Sequence, residues 1–242
     1  MHVFILAGGL GTRLRPFSYT IPKPLLPIGD RPIIDILLTQ LKRCGFTSAT
    51  ISLGYMAPLF RAFVGDGMQW GMQVDFVSED EPLGTAGALR MASKLPENFL
   101  VVNGDTLTDL DFEDMLQSHI KSAAIATIFC ASIDEHVDYG VVRFDKLGFL
   151  KTYDEKPTHR YHVSTGIYAL SKDILRFDSG KGRLDMPDLF LMAMESGEKI
   201  YCHRDSSAYW RDIGRFDHLE EASRDFDSMK GKFLREDVGF KN

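Results

Sequence analysis

Three glycines arrive directly after an apolar run at the start of the chain: Leu6-Ala7-Gly8-Gly9-Leu10-Gly11-Thr12-Arg13-Leu14-Arg15-Pro16, continuing to Pro22-Lys23-Pro24. Glycine lets backbone N–H groups approach a phosphate closely. Arg13 can fork onto phosphate oxygens, and Lys23 supplies a second cation. The prolines on either side of Lys23 stiffen the chain that carries it. The chemistry implied is the grip of a polyphosphate. Two common phosphate loops do not fit. A Walker A loop ends in G-K-[ST], whereas this one ends in Thr12-Arg13. A dinucleotide fingerprint needs a third glycine where Leu14 stands.

Carboxylates elsewhere could complete such a site. Asp105 closes Asn103-Gly104-Asp105, just past the apolar run 99–102. Ligands of open α/β sheets bind beyond the carboxyl ends of strands. Asp212 lies between Trp210 and Ile213, an apolar setting in which a buried carboxylate needs a cation. Mg²⁺ takes carboxylate and phosphate oxygens and manages with few protein ligands, so Asp105 and Asp212 are candidate ligands. Each also has a plainer reading as a turn residue. Glu155-Lys156-Pro157 by itself reads as a surface turn with an ion pair. The histidines show no metal-ligand spacing, and no G-x-S-x-G elbow is present.

In chain order, these segments resemble the sugar-phosphate nucleotidyltransferases, whose signature is broadly G-G-x-G-T-R-L-x-P…P-K-P. Glu81-Pro82-Leu83-Gly84-Thr85-Ala86-Gly87 is similar to the family's second nucleotide segment, and Asn103-Gly104-Asp105 to its metal motif. Tyr139-Gly140, Glu155-Lys156-Pro157 and Gly166-Ile167-Tyr168 look like its sugar-phosphate segments, and Trp210-Arg211-Asp212-Ile213-Gly214 like its second metal segment.

The resemblance implies an enzyme that uses Mg²⁺ to join a nucleoside monophosphate, taken from an NTP, to a sugar 1-phosphate with release of pyrophosphate. It places Leu6, Ala7, Gly8, Gly9, Gly11, Thr12, Arg13, Lys23, Glu81, Gly84, Thr85 and Asn103 at the nucleotide. Gly104, Asp105, Tyr139, Gly140, Glu155, Lys156, Ser164, Thr165 and Gly166 fall at the sugar phosphate. Arg13, Lys23, Asp105 and Lys156 are the implied catalytic residues, and Asp105 and Asp212 the metal ligands. The Glu-Pro-Leu-Gly-Thr-Ala-Gly form is nearest to the mannose 1-phosphate guanylyltransferases. GTP with mannose 1-phosphate or a manno-heptose 1-phosphate is therefore the expected pair. Glu79 or Glu81 could accept the N–H donors of guanine. Ser164-Thr165 stands where many members carry Asn before Gly-Ile-Tyr, which leaves the sugar open. Uridylyl or other nucleotidyl transfer to glucose or an amino sugar is the alternative. A non-catalytic regulatory subunit that binds sugar nucleotides is the alternative from another class. Such a chain is expected to lose Arg13, Lys23, Asp105 or Asp212, and all four are present.

These residues need elements to position them. The pattern predicts strands over 2–7, 48–53, 73–77 and 99–102, with helices over 31–43, 58–64 and 85–95 between them. That alternation implies a parallel sheet with helices on both faces. A helix over 112–121 follows. Strands over 124–131, 139–144, 149–153 and 162–170 are close together, which suggests antiparallel additions. A helix after Met186-Pro187, a strand over 199–203 and a last helix carrying Phe216, Leu219, Ala222 and Phe226 complete the pattern. The fold class is α/β: a Rossmann-like, mainly parallel mixed sheet flanked by helices, as the resemblance to the nucleotide-diphospho-sugar transferase fold also implies. One domain over 1–229 and a polar tail over 230–242 are expected.

The formal net charge of -6 gives no broad attraction to nucleic acid or anionic membranes. The apolar N-terminus is too short to span a bilayer and lacks a basic n-region, so a cytoplasmic location is expected. Cys44, Cys130 and Cys202 have no metal or CxxC spacing, and buried free thiols are the favoured reading. The methionines between Met186 and Met194 are read as core. Homo-oligomerisation is left open.

Overall fold

The apolar N-terminal run forms β1 (His2–Ala7), a central strand of a seven-stranded sheet. The computed structural model describes residues 1–9, 11–54, 56–79 and 81–234. Leu10 of the glycine run and the tail residues 235–242 lie outside them. After β1 come the short β2 (Pro27–Ile28) and β3 (Arg31–Pro32), then α1 (Ile33–Arg43), β4 (Ser48–Leu53), α2 (Ala57–Val64) and β5 (Gln73–Ser78). The chain continues through β6 (Asn98–Asn103), β7 (Thr106–Thr108), α3 (Phe112–Ser122), β8 (Ala126–His136), β9 (Val141–Phe144) and β10 (Leu150–Asp154). It ends with β11 (Thr158–Ser171), α4 (Met186–Glu195), β12 (Ile200–His203), β13 (Trp210–Asp212) and α5 (Phe216–Leu234).

The strand order is β12-β8-β11-β6-β1-β4-β5. β1 pairs in parallel with β4 and β6, and β4 with β5. β11 runs antiparallel to both β6 and β8. The mixed, mainly parallel architecture is therefore the one the alternation predicts. Because β1, β6 and β4 are parallel neighbours, their carboxyl ends open on one edge. The glycine run and Asn103-Gly104-Asp105 both start there.

Helix α1 turns Ile34, Leu37, Leu38 and Leu41 onto one sheet face, against Val3, Ile5 and Ala7 of β1. Its end is closed by Gly45 at φ 81°, whose N–H donates to Lys42 O at 3.0 Å in a left-handed cap. The other face carries Phe4 and Val101 against Met186, Leu189 and Phe190 of α4. A third cluster joins Ala222, Phe226 and Phe233 of α5 to Leu14, Leu26 and Ile213. That cluster anchors both ends of the segment carrying Arg13 and Lys23. Full burial of an aromatic side chain contributes about 1.5–3 kcal/mol, so Phe226 and Phe233 are substantial supports for the loop.

Several expectations are corrected. The helix expected over 85–95 is only a 3₁₀ turn at Gly87–Met91. Its first amides do not bond within a helix: Ala86 N and Gly87 N donate instead to Leu184 O, both at 3.0 Å. Arg90 is fixed from outside by Asp178, with both bonds at 2.6 Å, and by Gly182 O at 2.7 Å. Helix α5 runs to Leu234, past the Lys230 where the polar tail was expected, because Phe233 is fully buried. Of the cysteines only Cys44 is buried, with Cys130 intermediate and Cys202 exposed. Met186 is core, but Met192 and Met194 are exposed, since α4 presents one face only to the sheet. Among the described residues no helix is long and apolar enough to cross a membrane.

Candidate active site

The glycine loop leaves β1 through a close backbone crossing. A Cβ on Gly8 would lie 3.3 Å from Glu79 Oε1, and one on Gly54 would lie 2.5 Å from Gly8 O. Gly104 N donates to Leu6 O at 2.9 Å, so the turn after β6 is tied to the end of β1. Gly11 takes φ 58°, and its carbonyl accepts from Ser18 Oγ at 2.8 Å and Leu14 N at 2.9 Å. Thr12 and Arg13 are exposed on a turn whose Leu14 is fully buried. Hydrophobic anchoring by Leu14 thus presents Arg13 to solvent at the rim. Gly9 has open space where a side chain would be.

Lys23, Asp105 and Asp212 converge. Lys23 Nζ donates to Asp105 Oδ2 and stands 3.7 Å from Asp212 Oδ1. The Lys23 side chain is 12% exposed and the two carboxylates 25% and 42%. Asp212 is thus less buried than its apolar neighbours imply. The two carboxylates come together through a small ladder: β13 pairs antiparallel with β7, setting Asp212 opposite Thr106. Ile213 N also donates to Asp105 O at 3.3 Å. His218 Nδ1 lies 2.9 Å from Asp212 O, which ties the start of α5 to the same strand. Among the described residues no cluster of three or more His, Cys, Asp or Glu is assembled as a metal site. Mg²⁺ commonly takes only one or two carboxylates and completes its shell with water and substrate phosphate. The hard oxygens of Asp105 and Asp212 fit that mode.

Asn103 and Gly166 meet across β6 and β11. Gly166 has φ +79°, and a Cβ there would overlap the Asn103 side-chain amide. The β8–β11 register shifts at this point, between Ser164 and Tyr168. Ser164 Oγ donates to Tyr168 OH at 3.3 Å. Thr165 turns inward: it is 3% exposed, and its hydroxyl donates to Phe129 O at 2.8 Å. That hydroxyl is committed to the core rather than presented to a sugar. Trp210 Nε1 donates to Thr165 O at 3.0 Å and joins this wall to β13.

The remaining sugar-side candidates sit on an exposed arm. β9 and β10 form a separate two-stranded sheet. Tyr139 is 78% exposed. A Cβ on Gly140 would overlap the Tyr153 hydroxyl and lie 3.1 Å from Glu155 Oε2, which accepts from Tyr153 OH at 3.0 Å. Gly140 and Glu155 are therefore neighbours. Lys156 is exposed at φ 47° and bonds to none of the Lys23, Asp105 and Asp212 group.

On the base side, Glu79 is already occupied. Its Oε1 accepts from Ser52 Oγ at 2.7 Å and its Oε2 from Leu83 N at 2.8 Å. Of the two acidic candidates for reading guanine, Glu79 shapes the loop and Glu81 is exposed. Sequence reasoning missed Leu184 and Asp185, which bond to residues 83–87. An Asp ahead of Met186-Pro187 is a helix-start signal and could have drawn attention to the segment.

A parallel sheet whose carboxyl edge carries a glycine loop, a cation and paired carboxylates defines a nucleotide-handling α/β protein. The chain belongs to the nucleotidyl transferase family, whose model matches residues 2–228. It is 31% identical to a UTP–glucose-1-phosphate uridylyltransferase of Synechocystis over 244 residues, covering 93% of this chain and 63% of that protein. It is 31% identical to a mannose-1-phosphate guanylyltransferase of Mycobacterium tuberculosis over 229 residues, covering 91% of this chain and 63% of that one. The chain thus spans less than two thirds of these relatives' length. The crystal structure of HddC from Yersinia pseudotuberculosis complexed with GMP-PN superposes with a TM-score of 0.73 at 30% identity, covering 93% of this chain and 99% of that one.

Proposed function

We propose that this protein transfers a nucleoside monophosphate from an NTP to a sugar 1-phosphate. The preferred pair is GTP with mannose 1-phosphate or a manno-heptose 1-phosphate. The observation that carries the reading is the meeting of Lys23, Asp105 and Asp212 beside the glycine loop. A sugar-phosphate oxygen attacks the α-phosphorus in line. The bond from that phosphorus to the bridging oxygen breaks, and pyrophosphate leaves.

The nucleophile needs no general base, because a phosphate monoester has a second pKa of ~6 and is already largely ionised at neutral pH. The protein's work is to hold two polyanions together and to neutralise charge. The backbone of Leu6, Ala7, Gly8, Gly9 and Gly11, with Thr12 and Arg13, would hold the triphosphate and the departing pyrophosphate. Lys23 would move from its carboxylate partners toward the α-phosphate as substrate enters. Asp105 and Asp212 would hold Mg²⁺, which when bound supplies charge neutralisation at the phosphoryl oxygens. Gly84 and Thr85 would line the base. Asn103 would join the nucleotide contacts, and Gly140, Glu155, Lys156 and Ser164 would surround the sugar phosphate, Lys156 against its phosphate.

Guanine is favoured by the likeness to mannose-1-phosphate guanylyltransferases and to a structure complexed with GMP-PN. The similarity to a uridylyltransferase gives UTP with glucose 1-phosphate as the second reading. Pyrophosphate release, measured with Mg²⁺ across GTP, UTP, CTP, ATP and dTTP against several sugar 1-phosphates, tests both. The preferred reading predicts the strongest signal with GTP and mannose or heptose 1-phosphate. A strongest signal in another combination moves the specificity, and no sugar-dependent signal in any combination overturns the activity.

A further inference from the structure

The loop assigned to the base is held by residues about a hundred positions away in the chain. Leu184 N donates to Leu83 O at 2.8 Å. Leu184 O takes the amides of Ala86 and Gly87, and Gly84 packs so tightly on that carbonyl that a Cβ would overlap it. Thr85 N donates to Asp185 Oδ1 at 3.0 Å. In return, Thr85 Oγ1 accepts from Met186 N at 2.8 Å.

The exchange is informative because of where Asp185 lies. It occupies the residue before α4, where an Asp side chain ordinarily accepts the first helix amides. It makes no such bond here. Its Oδ1 serves Thr85, its Oδ2 pairs with the exposed Arg183 at 3.0 Å, and the Thr85 hydroxyl serves the helix. The Thr85 amide also holds the Asp185 carboxyl below the usual carboxylate range. The peptide group between Gly84 and Thr85 is fixed at both ends, since Gly84 O accepts from Ala88 N at 3.0 Å. With φ at +84°, Gly84 has the freedom to let that peptide rotate if either tether is lost.

We propose that Asp185 is a positioning residue for nucleotide binding, which holds the Gly84–Thr85 peptide in the orientation that receives the base. This rests on the reading of Gly84 and Thr85 as base-lining residues. A helix cap alone would explain a carboxylate bonded to α4; it does not explain one bonded to the opposing loop.

Three variants separate the roles. Asp185→Ala removes the acceptor. Asp185→Ser also removes it from Thr85 but places a good capping residue at the start of α4. Asp185→Asn keeps an acceptor oxygen at the same position. GTP binding is measured by calorimetry on the whole chain, alongside thermal melting and amide hydrogen exchange of the free protein. One intramolecular hydrogen bond is worth about tenfold in an equilibrium, and without it the bound nucleotide must itself order this peptide. The Ala and Ser variants should therefore raise the Kd for GTP about tenfold, with the KM for sugar 1-phosphate and kcat within about twofold. Thr85 should exchange faster in both, and the Asn variant should stay near the wild type. The Ser variant should also keep its melting midpoint, so it carries the test if Asp185→Ala does not fold. Unchanged Kd in the Ser variant, or an equal loss in Asn, overturns the inference while leaving the proposed activity intact. A wild type that binds none of the five nucleotides overturns the activity reading, and this inference with it.

Discussion

At the scale of single residues, the centre of the site is an ammonium between two carboxylates that lie far apart in the chain. Lys23 and Asp105 satisfy one another. A half-buried cation and anion left unpaired would each carry a desolvation cost, which the pairing offsets. The account then asks all three groups to act on phosphoryl charge. We predict that Lys23→Ala, Asp105→Ala and Asp212→Ala each lower kcat by more than about tenfold, the scale set by removing one preorganised charge-stabilising group. Steady-state pyrophosphate release checks this, and near-normal kcat in any variant removes that residue from the mechanism. The identity of these residues was legible in the sequence, because motif order located each one. Their mutual geometry was not: nothing in residues 210–214 says that Asp212 lies opposite Thr106. Thr165 and Glu79 show the converse. Both stand in the right stretch of chain, yet the Thr165 hydroxyl is taken by Phe129 O and the Glu79 carboxylate by Ser52 and Leu83. Direction of a side chain depends on a register shift in β11 and on a loop crossing, neither of which periodicity encodes.

At the scale of elements, long periodic segments were read well. The strand predicted over 48–53 is β4, and the predicted helices at 31–43 and 112–121 are α1 and α3 to within a turn. Failures occurred where distant hydrogen bonds overrule local preference. The segment 85–95 has helical spacing, but its first three amides and Arg90 are captured by residues 178–185. Strands β7 and β13 are three residues each, too short for alternation to register. Helix α3 offers a test of its own packing. His119 is 1% exposed, and Nδ1 lies 2.9 Å from Thr127 Oγ1 on β8. Burial lowers its pKa from the ordinary 6.5 to about 4. The unfolded chain therefore binds a proton between those values that the folded chain refuses. Stability from this group is complete above pH 6.5 and falls as pH drops through the interval to about 4. Urea unfolding across this range should show a declining midpoint, and His119→Asn should flatten the decline. An unchanged slope in the variant would show that other groups carry it.

At the scale of the whole molecule, three apolar clusters divide the labour. Two pack the faces of the sheet, and the third fastens the glycine loop and β13 to α5. The backbone that carries Lys23, Asp105 and Asp212 at the carboxyl edge is therefore set by hydrophobic packing on both sides. With a net charge of -6, the proposed anion binding would fall to local groups: Arg13 and Lys23 on the loop and Lys156 on the arm. Fold class was readable from alternation and from the change of pattern after Asp105. The place of β11 between β6 and β8 was not readable, because strand order follows from packing across the sheet. The central claim is that a sugar-phosphate oxygen attacks the α-phosphorus of the nucleotide. It is tested most directly by incubating the protein with Mg²⁺, mannose 1-phosphate or a manno-heptose 1-phosphate, and GTP labelled separately at the α- and γ-phosphate. The account predicts that the α-label appears in a nucleoside diphosphate sugar and the γ-label in pyrophosphate. A γ-label found in orthophosphate or on the sugar would mean hydrolysis or kinase chemistry, and would contradict it.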